Sequence, residues 1–172
     1  MHNFEYCAYT YRHRRAMEYL INKMLPDGET KREMMRRAQA HDIDKMINYQ
    51  FMSREDASNY HKKHSSHHMA NNLSKTYYDK LEAVLDYESA GYTKPDKPLN
   101  AFDTIAKLRE KGIVSDRICD DLLIICQGLQ IAKSYSVTDD AEGMAYLSQY
   151  ENVTEEMIVK DIQDYMFKRL EK

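Results

Sequence analysis

The sequence predicts an all-α fold, a compact bundle of about six to eight helices, on three observations. Only five Gly and three Pro interrupt 172 residues, so long stretches lack the two residues that most disfavour a helix interior. Apolar residues recur at three- and four-residue steps, the period of one helix face, and no stretch sustains the alternation of a half-buried strand. The composition, 42% hydrophobic and 31% charged, is that of a folded chain and not a disordered one. A single domain over 1–172 is therefore expected.

Each element has its own signal. Residues 4–25 read as the first helix: Tyr6, Tyr9, His13, Met17, Leu20 and Met24 share a face, and Pro26-Asp27-Gly28 stops it. A second helix is expected over 30–48, carrying Met34, Met35, Ala38, His41 and Lys45. Ser53 is an N-cap candidate for a third, with Glu55 and Asp56 in its first turn, running to about Asn72. Ser74 would cap a fourth that ends before Gly91, placed as a C′ glycine. Gly91 to Pro98 reads as a loop. Asn100 opens a short helix ending at Gly112, Ser115 opens one through Ile118, Leu122, Ile125 and Leu129, and Thr154 opens the last.

Net charge is −3 but uneven. Residues 1–75 hold thirteen Lys/Arg against nine Asp/Glu, and the remainder twelve against nineteen. A positive first half would suit an anionic ligand, though for charge alone a mixed solvated surface is the preferred explanation. No dense basic stripe of a nucleic-acid binder is present. Cys7, Cys119 and Cys126 form no CxxC pair, and the last two are expected in a core as reduced thiols. No apolar run follows basic residues at the N-terminus and none approaches a membrane span, so a cytoplasmic protein is expected.

Six of the seven His lie between His13 and His68. His41-Asp42 joins a neutral nitrogen ligand to an anionic oxygen ligand, a mixed set suited to Mn²⁺, Fe²⁺, Zn²⁺ and related ions. Lys45, four residues after His41, would point the same way on a helix, beside a phosphate oxygen. His61, His64, His67 and His68 fall within an arc of about 120° if their segment is one helix; Ser65 and Ser66, weak helix formers, would let it bend. A hydrated surface run is the alternative, since Lys62 and Lys63 are solvated. His13 sits in an apolar stripe, where a satisfied core histidine is the commoner role. Asp86 borders the stripe of Leu81, Val84 and Leu85 beside Asp79 and Glu82, and needs a cation, either a metal or a Lys/Arg.

In this order (His13, His41-Asp42, His64, His67-His68, Asp86) the chain resembles the HD superfamily of metal-dependent phosphohydrolases. His41-Asp-Ile-Asp-Lys45 looks like the HDIGK motif of several members, with Asp44 in place of Gly. It is also similar to a functionally uncharacterised family of short bacterial and phage HD-like proteins, through His13-Arg-Arg, His64-Ser-Ser-His67-His68 with Asn71, and Leu85-Asp86-Tyr87. The resemblance covers residues 10–90, the expected metal-site half, and leaves 100–172 as helical completion without an assigned role.

The resemblance implies an HD-like bundle in which His13, His41, Asp42 and Asp86 hold a first ion. Asp42 would bridge to a second ion held by His64 and His67 or His68, with His61 the less favoured neighbour. It implies one or two divalent ions (Mn, Fe, Zn, Ni, Co or Mg), with Asp42 and Lys45 catalytic, and hydrolysis of a nucleotide or other small phosphate ester by a metal-activated water. An HD-type di-iron oxygenase and a non-catalytic, metal-stabilised interaction protein are the alternatives. The absent GYP motif, and Met69 where Glu often follows the double histidine, leave the substrate open.

Overall fold

A computed structural model of the chain describes residues 1–94, 100–131, 133 and 139–170. Among them are eight helices of at least eight residues and one of six, with no strand. In chain order they are α1 (Phe4–Met24), α2 (Glu29–Ala40), α3 (Ile43–Asn48), α4 (Arg54–His64), α5 (Tyr77–Thr93), α6 (Ala101–Glu110), α7 (Asp116–Gly128), α8 (Ala141–Ser148) and α9 (Glu155–Leu170). The all-α expectation holds.

α1 and α5 form the centre and pack along each other, with α2 and α8 against both. Their shared core is Ala16, Met17, Leu20, Ile21, Met34, Leu81, Leu85 and Leu147. α5 turns a second side to α6 and α7, burying Val84, Ile105, Leu122, Cys119 and Cys126. A third cluster, Cys7, Ile43, Met46, Ala57 and Ile158, joins α1 to α3, α4 and α9. The three thiols are buried and free, as expected for Cys119 and Cys126. Among the described residues, no helix is long and apolar enough to cross a membrane.

Four boundaries differ from expectation. The helix expected over 30–48 breaks at His41-Asp42, where Asp42 takes the left-handed conformation at φ 58°. Asp adopts that region more readily than most residues because its short polar side chain can bond locally. The helix expected to reach Asn72 ends at His64, with Ser65 extended. Thr76, not Ser74, caps α5, in a capping box with Asp79. Gly91 lies inside α5 instead of following it, and Tyr92 is buried there against α1 and α8. Pro95, Asp96, Lys97 and Pro98 of the expected loop lie outside the described residues.

Candidate metal centre

The break at 41–42 builds the site. On a continuous helix adjacent side chains diverge by about 100°, so His41 and Asp42 could not converge. The left-handed turn points both inward, with His41 Nε2 3.7 Å from Asp42 Oδ1. α1 brings His13 and α5 brings Asp86, whose Oδ1 lies 2.8 Å from His13 Nε2 and 3.6 Å from His41 Nε2. The last turn of α4 contributes His61, with Nε2 2.8 Å from Asp42 Oδ1. The chain then turns at Ser65-Ser66 and returns His67 to the same point, 3.3 Å from His61 through their Nε2 atoms.

Donor atoms of His61, His67 and His68, of His13, His41 and Asp42, and of His41, His67 and Asp86 form three overlapping groups, each within 4.8 Å. The cluster could hold a metal ion. His41 Nε2, Asp42 Oδ1 and His68 Nε2 are buried without a hydrogen bond of acceptable geometry. A buried polar atom left unsatisfied costs about 1–3 kcal/mol, and cations held by these groups would meet His41 and Asp42 in one of them and His68 in another.

The outer faces of the imidazoles are held by the protein. Glu82 Oε1 stands 2.9 Å from His41 Nδ1 and 3.3 Å from His67 Nδ1. Both Asp44 oxygens lie 2.8 Å from His61 Nδ1, and Ser89 Oγ is 3.4 Å from His13 Nδ1. A carboxylate accepting from Nδ1–H fixes the tautomer that leaves the lone pair on Nε2, facing the centre. Burial opposes ionisation of Glu82, but its bonds to His41 and His67 outweigh that and hold the carboxyl far below the usual range. Burial, reinforced by His67, pushes His68 down to about 3, so its ring is neutral and able to ligate.

Arg37 bonds Glu82 and Asp79 at 2.9 Å each. Asp79 in turn accepts from Ser66 Oγ at 2.6 Å, which anchors the turn before His67. The Lys75 ammonium binds the carbonyls of Ser66 and His68, and Asn71 binds those of Lys62 and Ser65. The non-helical stretch carrying His67 and His68 is thus tied down at both ends.

The structure brings together His13, His41, Asp42, His67, His68 and Asp86. It leaves out His64, whose ring is exposed, stacks on Tyr60 and bonds the Tyr60 carbonyl. His61 stands where His64 was expected, because α4 ends at His64 and the turn brings His67 back toward His61. Lys45 Nζ lies 2.6 Å from Asp42 Oδ2, so its partner is a candidate ligand's outer oxygen and not an open cavity. Asp44, two residues after Asp42, supports His61. Sequence reasoning also passed over Glu82 as a supporting group, although Asp79, Glu82, Asp86 and Ser89 follow helical spacing on the buried helix α5.

A cavity of about 210 Å³ touches His41, Asp42 and His67 and is walled also by Arg36, Arg37, Ala40 and Tyr165. No known protein family, curated protein or solved structure matches this chain. The functional reading therefore rests on the residues and their arrangement.

Proposed function

We propose that this protein is a divalent-metal-dependent phosphohydrolase of the HD type, acting on a nucleotide or another small phosphate ester. The observation that carries the metal reading is a group of five inward imidazoles and two carboxylates, in which three buried ligand atoms lack a well-aligned hydrogen bond. The likeness of His13, His41-Asp42 and Asp86 to the HD pattern supports the reaction class. So does the cavity beside His41, Asp42 and His67, since a closed structural site leaves no room for water or substrate.

His13, His41, Asp42 and Asp86 would hold one ion and His61, His67 and His68 a second, with Asp42 between them. So many imidazoles favour Mn, Fe, Co, Ni or Zn over Mg, which takes oxygen ligands. A bound divalent ion supplies a hydroxide near neutral pH and polarises a phosphoryl oxygen. Glu82 and Asp44 keep the ring lone pairs directed inward. Lys45 neutralises the outer oxygen of Asp42 and leaves Oδ1 for the centre. Arg36 stands at the cavity wall, its guanidinium paired with Glu33 at 2.6 Å.

The test is elemental analysis of protein purified without a histidine tag, then a phosphate-ester screen after reconstitution with each ion. Metal should co-purify, hydrolysis should follow metal content, and chelation should lower the melting temperature. An ion at a hundred times its Kd adds about 2.7 kcal/mol to stability. Asp42→Asn should lose both metal and hydrolysis. Protein that neither carries nor takes up metal would sink the proposal; bound iron with a visible absorption band and no phosphatase activity would move it to the oxygenase reading.

A further inference from the structure

The cavity at the histidine–aspartate cluster does not stand alone. Arg36, Ala40 and Tyr165 also wall a larger groove of about 630 Å³ between α1, α2 and α9. The two spaces therefore adjoin across these three side chains, and together they exceed what one phosphate group needs.

Charge along this groove is directional. Its acids are already answered: Glu18 by Arg15, Asp161 by Arg14 and Arg15, and Asp164 by Lys160 at 2.8 Å. At the far end, Lys168 Nζ donates to Gln39 Oε1 at 3.0 Å and Arg169 donates to the Tyr165 hydroxyl at 2.8 Å. Among the described residues no carboxylate lies within ion-pair distance of either cation. Asp164 attracts Lys168 through space without pairing with it, so these two cations, hydrogen-bonded to neutral acceptors, are placed to take an anion, and Arg169 also lies against the Tyr165 ring at 5.6 Å.

We infer that this groove receives the far end of the substrate, which is a phosphate ester carrying a second anionic group. Lys168 and Arg169 hold that second group while the ester phosphate lies at the cluster; Ala40 and Tyr165 flank the body between them. The inference rests on the phosphohydrolase reading and gives α9 a role in choosing the substrate.

The experiment measures binding and not turnover. Metal-loaded full-length protein is titrated calorimetrically with α,ω-alkane bisphosphonates of graded chain length and with the matching monophosphonates, and retained metal is checked afterwards. A bisphosphonate of the right length should bind about ten-fold more tightly than its monophosphonate. In a Lys168→Ala/Arg169→Ala double variant of unchanged helical content that ratio should fall to near one. Monophosphonate binding with no bisphosphonate advantage at any length, or an advantage that survives in the double variant, overturns the groove assignment alone. Failure of metal-loaded protein to bind any phosphonate overturns the phosphohydrolase reading and the groove with it.

Discussion

Asp44 lies two residues after Asp42, and on an unbroken helix it would face away from its neighbour's target. The positive φ at Asp42 changes that, and Asp44 becomes the acceptor that orients His61. Asp44→Ala should therefore weaken metal binding about 10–100-fold, read by competition with a chelator of known affinity, while Asp44→Asn, which keeps an acceptor, should lose less. Equal affinities in all three proteins would show that His61 needs no support. The residue types of this site were legible in the sequence, because clustered imidazoles around a His-Asp pair have few other uses. Their geometry was less so. His61 and His64 are equivalent on a helix projection, and only the end of α4 at His64 decides between them.

At the scale of elements, the long helices were legible because their apolar periods run through several turns and Ser53 and Asn100 cap them as their side chains dictate. α8 was not, being eight residues with only Met144, Tyr146 and Leu147 to mark a face. Its signal was Asp140, whose carboxylate accepts from the Gly143 amide and also receives Tyr19, Tyr92 and Lys23. That convergence leaves no space at Gly143, where an added Cβ would lie 2.5 Å from Tyr92 Cε1 and 2.8 Å from Tyr19 Cε1. Helix propensity alone favours Ala over Gly by about 1 kcal/mol. Gly143→Ala should nonetheless destabilise by about 1–3 kcal/mol in chemical denaturation, since overpacking outweighs propensity. Gly128→Ala, at the end of α7 with nothing within 4 Å of its Cβ, is the control and should be neutral or stabilising. A Gly143→Ala protein as stable as wild type would mean that the rings move aside freely.

Across the whole molecule, Asp79 links three parts: Arg37 on α2, Ser66 in the histidine turn and Thr76 at the start of α5. Burial would raise its pKa, but the bonds from Ser66, Thr76 and Arg37 prevail and hold it at about 2. A carboxyl depressed on folding stabilises the native state above its unfolded value near 4, and that contribution disappears as pH falls from about 4 to about 2. Asp79→Asn should cost up to about 2 kcal/mol at pH 7 and little at pH 2, measured by urea denaturation at both. A difference that persists at pH 2 would assign the loss to hydrogen-bond geometry instead of charge.

The contact between His13 and Asp86 spans 73 positions and encloses every other candidate ligand. Ions held at this cluster would act as cross-links, together tying five separate stretches of chain in a protein whose three cysteines form no disulfide. Such a knot restricts the loose chain most when it closes long loops. It would leave residues beyond 100 outside the cross-link, so that loss of the metal should loosen the first half of the chain before the second.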